Sequence, residues 1–564
     1  MNLKKMVLFG LLFIVSILSV RSFFSPGFFP MHDDAQVARV IVIARALQNG
    51  QFPVRLVADL GYGYGYPIFN FYGPLPYYTG GIIHIAGVDA VTATKIMIGL
   101  GVIIGTFSMY LLSSSIFGVY GGLFSAVLFS YFPYRAVQIF VRGAIGELWA
   151  ISFLPLVLYG LLLLSQKNNH IKGIFIGALS LSAVILSHTV FGYIVTGCIA
   201  LVALVLFAVS LCTRKELIRS VGLSLIFLSL LTLGMTAFFW LPALSEMQYT
   251  NVYKVIGKTA LYTDHYICIS QLWDSAWGFG GSAPGCLDGM SFKLGRLQIL
   301  YFFISLFMWI FLKEKGKRIN FIMIFIAALS GLLLFLMLPI SEIVWKYIPF
   351  SSFVQYPWRF LGPLGICMAV LCGYIFYKKS PVVSVILLSI FGGVVLLANM
   401  KLFFPQYTYN RPTESFGTAE ELQWRASKVS DEYLPREFRI PQNQSEIPEE
   451  RVTGNQYTKV TKISETEVRG TYQIQSDRSQ ELNLNMAFFP GWTYSINGNQ
   501  VKPKVVEGRP SVILSSGNSI LEMRFTDTID RKIGNGITVL TIIAIVFMLT
   551  YGKKIIRNYR YTRI

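Results

Sequence analysis

A chain of 564 residues that is 54% hydrophobic and only 14% charged has too little polar surface to clothe a water-soluble body of its size. Its mean hydropathy of +0.56 makes lipid its main solvent. The formal charge of +19 is placed in a way, set out below, that marks membrane topology and not a nucleic-acid partner.

Apolar runs of about 20 residues recur along most of the chain, each long enough to cross a hydrocarbon core. They predict spans at 6–24, 92–113, 117–133, 148–165, 172–190, 192–212, 220–241, 297–312, 319–338, 358–377, 381–403 and 534–551. The first is expected to stay as an anchor, because Arg21 sits just past it and no small-x-small cleavage site follows. With the N-terminus inside, the inner loops collect 18 basic residues: Lys4, Lys5, Lys167, Lys172, Arg214, Lys215, Arg219, Lys313, Lys315, Lys317, Arg318, Lys378, Lys379, Lys553, Lys554, Arg557, Arg560 and Arg563. Only Glu216 and Glu314 oppose them, so nearly all of the net charge lies on one side. That is the positive-inside signature, and it predicts a multi-pass cell-membrane protein with both termini cytoplasmic.

Three outer regions interrupt the pattern, at about 25–90, 242–296 and 405–533. In the first, AQVARVIVIARALQ (35–48) has apolar residues at helical spacing and predicts an amphipathic helix lying on the membrane surface. The Gly-, Pro- and aromatic-rich stretch after it, 50–78, is expected not to be a regular helix and suits an interfacial belt. The second region holds Cys268 and Cys286, which an oxidising exterior would allow to pair; two free thiols are the alternative. Cys198, Cys212, Cys367 and Cys372 lie in or beside helices and suit packing roles. In the third, TEVRGTYQIQ (466–475) and SVILSSGNSILEMRF (511–525) alternate with period two, and Asn497-Gly498 marks a hairpin turn. The expected organisation is a multi-spanning domain over 1–404, an extracytoplasmic β-rich domain over 405–533, and a last span with a basic tail over 534–564. Residues 405–460 carry no clear pattern, and no repeat of 20–50 residues is evident.

The middles of the spans are almost free of ionisable groups, unlike those of ion-coupled transporters. Candidates gather instead at one end of the helices: Asp33, Asp34, Arg142, Glu147, His188, Glu246, Glu342 and Arg359. The adjacent pair Asp33-Asp34, after His32, could accept a proton or hold a divalent cation. The same pair is also an ordinary helix-start signal. Glu147 could be a charge favoured by a helix dipole, and His188 a packed residue of an apolar helix. Arg55, Arg142 and Arg359 could clamp a phosphate or pair with carboxylates, although surface arginines often only snorkel. No metal-spaced Cys/His cluster, P-loop, dinucleotide fingerprint or nucleophile elbow is present.

An anchor helix, an acidic pair opening a first outer loop, many spans and an outer β-domain together resemble the GT-C superfamily of membrane glycosyltransferases. More closely, the chain resembles bacterial membrane proteins labelled "6-pyruvoyl-tetrahydropterin synthase-related". The segments that carry the likeness are HDDAQVAR (32–39), GQFPVRLVADLGYGYGYPIFNFYGPLPYY (50–78), YRAVQIFVRGAIGE (134–147), LSHTVFG (186–192), FWLPALSE (239–246), MSFKLGRLQ (290–298), QYPWRFLG (355–362), DEYLP (431–435) and FFPGWTYSING (488–498). With five histidines in the whole chain and no zinc-binding His triad, the pterin label does not describe a pterin-synthase domain.

The GT-C resemblance implies a polytopic α-helical fold, a polyprenyl-phosphate sugar donor and a carboxylate base in the first outer loop. The base would be Asp34 or Asp33, with Asp34 slightly favoured and Glu147 as a looser second acidic match. Arg55, Arg142 or Arg359 would meet the leaving phosphate, and His188 would line the site. Tyr64 and Tyr72, in the aromatic stretch, could stack on sugar. Some GT-C members use a divalent cation and others do not, and the sequence leaves this open. The implied partners are the bilayer, the lipid-linked donor and an envelope glycan or lipid acceptor. Two other readings remain: a non-catalytic protein for export or assembly of surface polysaccharide, and a flippase for a lipid-linked substrate.

Overall fold

The computed structural model describes residues 3–561 except 165, 167–168, 214–215, 253–260, 313–315 and 349–350. Of the loop charges named above, Lys167, Arg214, Lys215, Lys313, Glu314, Lys315 and Arg563 lie outside the described residues. The protein is a mostly helical membrane protein with a C-terminal strand-rich domain. Among the described residues, eight helices are long and apolar enough to cross a membrane: Ala90–Ser130, Ile145–Leu164, His170–Ser187, Ile218–Met235, Lys317–Met337, Pro357–Phe376, Pro381–Leu402 and Ile529–Thr550. Leu3–Ser19, Thr189–Thr213 and Arg296–Phe311 are further apolar helices, and every predicted span falls on a helix.

Two predicted spans, 92–113 and 117–133, fall on the one 41-residue helix Ala90–Ser130, the second running three residues past its end. Gly118 breaks it with φ 82° and ψ 179°, a conformation that a residue with a Cβ rarely adopts. Ser113 and Ser125 hydroxyls meet at 2.7 Å, and those of Thr106 and Ser130 at 2.8 Å. A straight helix would hold the second pair about 36 Å apart, so the two arms fold back on each other as a tight helical hairpin.

The chain divides into two compact units interleaved in sequence. The first comprises 1–44, 73–195 and 253–417. Its helices approach closely through small residues. A Cβ on Gly101 would meet the Trp149 ring at 2.7 Å, and one on Gly160 would meet the Gly177 backbone at 2.6 Å. Without a hydrophobic drive between helices in lipid, such close packing is what holds them. The Gln36–Gln48 helix does not lie on a surface. Residues 35–44 are all buried, because Gly80 and Gly81 let the Leu75–Ile85 helix press directly on Val40 and Ile43. This helix also begins inside the stretch expected to be irregular.

The second unit comprises 45–72, 196–252 and 418–564. Its eight strands are β1 (Thr458–Thr466), β2 (Arg469–Ser476), β3 (Gln480–Asn483), β4 (Trp492–Ile496), β5 (Asn499–Val501), β6 (Lys504–Val506), β7 (Arg509–Leu514) and β8 (Gly517–Phe525). They form two antiparallel sheets, ordered β1-β2-β8-β4-β5 and β3-β7-β6. Tyr472, Ile474, Leu482, Tyr494, Val512 and Leu521 fill a common core. Asn497 and Gly498, both with positive φ, close the β4–β5 hairpin. The alternating run 466–475 is not one strand, since Glu467 and Val468 form the turn between β1 and β2. The aromatic segment of the first outer region is no interfacial belt: Tyr62, Tyr64 and Tyr66 are buried within this unit.

A candidate active site at an acidic helix start

The segment 31–35 enters the Gln36–Gln48 helix as a turn, and its backbone is fixed to the turn before Glu147. The His32 N–H donates to the Val141 carbonyl at 2.9 Å, and the Asp33 N–H to the Arg142 carbonyl at 3.0 Å. The two acidic segments of the first unit are therefore neighbours. Asp33 is half-buried and its carboxylate is held. Arg39 donates to Oδ2 at 2.7 Å, and the Gln36 amide donates to the same oxygen at 2.9 Å. Gln36 also donates to the Gly143 carbonyl at 2.8 Å, and the Tyr77 hydroxyl donates to Gln36 Oε1 at 2.7 Å. Asp34 is exposed. One member of the pair is thus anchored to a buried guanidinium, and the other faces outward.

Residues 138–142 form a single π-turn that ends on Gly143 in the left-handed region. This wide turn aims both Gln138 and Arg142 at Glu147, in the first turn of the next helix. Glu147 is 1% exposed and fully engaged. Oε1 accepts from Tyr134 at 2.5 Å and from Gln138 at 3.0 Å. Oε2 accepts from Arg142 at 2.9 Å, with Arg359 Nε at 3.6 Å. Arg142 also lies over the Trp358 ring at 4.5 Å, and Arg359 over Tyr356 at 4.9 Å. Burial alone would lower the Arg142 pKa, but the Glu147 charge outweighs it and holds the guanidinium protonated. One carboxylate against two guanidinium groups leaves an excess positive charge, and each arginine side chain is 12% exposed.

His188 ends the His170–Ser187 helix in extended conformation, and its Nδ1 accepts from the Phe191 N–H at 3.3 Å. The preceding Ser187 carbonyl sits where a Cβ on Gly73 or Gly146 would clash, at 2.2 and 2.5 Å. The loop 261–296 reaches the same region, where the His32 Nε2 lies 2.5 Å from the Phe279 carbonyl. Cys268 and Cys286 in that loop are joined, with Cα atoms 5.8 Å apart.

Four of the residues singled out in the sequence, Arg55, Tyr64, Tyr72 and Glu246, belong to the second unit. Arg55 is buried and committed, donating to Asn70 Oδ1 at 3.1 Å, the Phe238 carbonyl at 2.8 Å and Asn535 Oδ1 at 3.0 Å. These bonds make it a structural tie and not a phosphate ligand. Tyr64 is buried with Arg509 stacked 4.5 Å from its ring, so it offers no free face to a sugar. Tyr72 is half-buried. Glu246 is likewise structural, bonded to Arg531, Asn70 and Thr528.

Arg39, Gln36, Tyr134 and Gln138 were not singled out, although HDDAQVAR and YRAVQIFVRGAIGE contain them. A positive residue six positions after Asp33, within a mostly apolar helix, is the sequence signal for Arg39. Among the described residues, no three His, Cys, Asp or Glu side chains converge.

Comparison with known proteins adds the following. Residues 69–263 match the family model described as "6-pyruvoyl-tetrahydropterin synthase related domain; membrane protein", the group that the sequence segments resemble. An uncharacterized protein of Lactococcus lactis subsp. cremoris is 26% identical over 355 residues, which are 60% of this chain and 54% of that protein. The chain thus spans about half the length of this curated relative. Among solved structures, the oligosaccharyltransferase of Archaeoglobus fulgidus tethered to an acceptor peptide aligns at 14% identity. Its TM-score is 0.41, over 79% of this chain and 60% of that one. ArnT from Cupriavidus metallidurans bound to undecaprenyl phosphate aligns at 15% identity and a TM-score of 0.37. That match covers 71% of this chain and 65% of ArnT.

Proposed function

We propose that the chain is a membrane glycosyltransferase, moving a sugar from a polyprenyl-phosphate donor to an envelope acceptor at the outer membrane–water interface. The observation that carries this reading is the pairing of an exposed carboxylate, Asp34, with a nearby cluster of net positive charge around Glu147. A base and an anion-binding patch side by side are the two elements that a displacement at a phosphate-linked carbon requires.

The work divides as follows. Asp34 takes the acceptor hydroxyl proton as that oxygen bonds to the anomeric carbon. The bond from that carbon to the phosphate oxygen breaks, and its electron pair stays on the phosphate. Arg142 and Arg359 stabilise the charge that develops there. Asp33 is a positioning residue: its bond to Arg39 fixes the turn. Glu147, enclosed and fully hydrogen-bonded, orients the two arginines and takes no proton.

The test is transfer of label from polyprenyl-phosphate sugars into envelope material, using membranes with matched amounts of native chain or variant. Asp34→Asn is expected to reduce transfer by about 10²-fold or more without changing membrane abundance. Full transfer by Asp33→Asn, Asp34→Asn and the double variant would sink the proposal.

A further inference from the structure

His188 stands where two apolar helices meet, between His170–Ser187 and Thr189–Thr213. Backbone contacts fix its place. The Ser187 carbonyl presses on Gly73 and Gly146 more closely than a Cβ would tolerate, and a Cβ on Gly146 would lie 3.8 Å from His188 Cδ2. The Cδ2 side of the ring therefore lies against the helix start that carries Glu147. The charges of Arg359, Glu147 and Arg142 all reach the ring. Its Nδ1 accepts from the Phe191 N–H and so caps the first turn of the second helix. An accepting nitrogen keeps its lone pair, so the ring is neutral and its proton sits on Nε2. Among the described residues nothing accepts from that N–H, and the ring is only partly buried.

The two guanidinium groups beside it also keep unengaged donors. Arg142 is bonded through Nη1 alone, to Tyr134 and Glu147. Arg359 uses Nη1 for the Val354 carbonyl and Gln355 Oε1. Its buried Nε meets no hydrogen-bond acceptor among the described residues, since Glu147 Oε2 is 3.6 Å away. Three side chains from three segments of the first unit thus bring open N–H groups to the surroundings of one carboxylate. Two of them bring charge as well. The third, His188, brings a donor and no charge.

We propose that His188 is a third phosphate ligand of the donor site, giving its Nε2–H to a phosphate oxygen while Arg142 and Arg359 supply charge. This rests on the donor-site reading above. His188 moves no proton. Its Nδ1 faces a backbone N–H, which offers no route for relay, so the ring keeps its Nε2 proton while the bond from the anomeric carbon to the phosphate oxygen breaks. The hydrogen bond strengthens as charge grows on that oxygen, and the Phe191 contact keeps the ring aimed.

Calorimetric titration of the purified full chain in detergent with farnesyl phosphate, and with farnesol as the phosphate-free control, tests it. Two substitutions separate the two ring nitrogens. His188→Asn keeps an acceptor for the Phe191 N–H and loses the donor, and is expected to weaken farnesyl phosphate binding about tenfold. His188→Gln places an amide N–H near the Nε2 position and gives up the cap, and is expected to stay within about threefold of the native chain. Farnesol binding should be equal in all three. If His188→Asn does not fold, His188→Leu, which lacks both groups, replaces it and should bind about tenfold more weakly than His188→Gln. Native-like binding by His188→Asn would overturn the inference, as would His188→Gln binding no better than the donor-less variant. An equal fall in farnesol binding would overturn it too. Arg359→Gln separates this inference from the donor-site reading, because it should weaken farnesyl phosphate binding whatever His188 does. If it does not, or if the native chain binds farnesyl phosphate no better than farnesol, the donor site itself fails and this inference falls with it.

Discussion

Two buried carboxylates, Glu147 in the first unit and Glu246 in the second, each meet arginine, amide and hydroxyl donors, to opposite ends. Glu246 is closed in. Arg531, 0% exposed, donates to it at 2.9 Å and again from Nε at 3.2 Å, and Asn70 and Thr528 complete the shell. The second cation nearby, Arg55, is tied to Asn70 and Asn535, and Asn535 donates to Asp527. Two guanidinium groups and two carboxylates thus share one hydrogen-bonded network, in which Arg55 reaches Asp527 through Asn535, and the charges balance. Around Glu147 two guanidinium groups share one carboxylate, and both reach the surface. A balanced, sealed pair holds structure, whereas an unbalanced and partly open one is ready for an incoming anion.

The largest effect is expected at Arg531. Removing one partner of a sealed pair leaves a buried charge, so Arg531→Met is expected to cost about 3–5 kcal/mol. Thermal unfolding of the purified chain would show it as a large fall in Tm; an unchanged Tm would end the structural reading of Glu246. At the open cluster, Arg359→Gln should leave Tm within a few degrees, because Glu147 keeps Arg142, Tyr134 and Gln138. Transfer should fall about 10²-fold.

A third carboxylate sharpens the contrast. Glu467 is buried in the β1–β2 turn, and burial followed by the Asp59 charge pushes its pKa up to about 8 against the weaker opposing charges of Arg451 and Arg45. Between pH 4.5 and 8 the folded chain keeps a proton there that the unfolded chain has lost. Stability is then lost as pH rises through this window, by up to about 1.4 kcal/mol per unit, and Glu467→Gln should flatten the curve in denaturant titrations. The smallest effect is expected at Tyr64. Tyr64→Phe should change transfer by less than about twofold, since the ring is enclosed beneath Arg509.

Periodicity made the helices legible, and the Asn497-Gly498 dipeptide fixed one hairpin because few residues tolerate its backbone. The acidic pair at 33–34 and Glu147 stood out because charge is rare near lipid. Their partners did not stand out. Glu147 meets Arg359 and Glu246 meets Arg531 across more than 200 residues of chain, and no local pattern encodes such pairings. The tyrosines of 62–66 misled for a related reason. An aromatic run looks the same whether it faces lipid or a neighbouring protein segment, and here the Ala487 N–H donates to the Tyr64 carbonyl at 2.7 Å. The helix over 36–48 was expected at a surface because nothing in its own residues reveals that Gly80 and Gly81 allow a second helix to press on it.

The break at Gly118 has a consequence for how the protein is made. Its two arms are joined without a loop and are cross-linked by hydroxyl pairs within an apolar stretch. Neither arm has a polar connector to wait in water while the other is synthesised. The arms should therefore leave the translocation machinery together, as a single insertion event, with the serine and threonine pairs setting register before any later helix arrives.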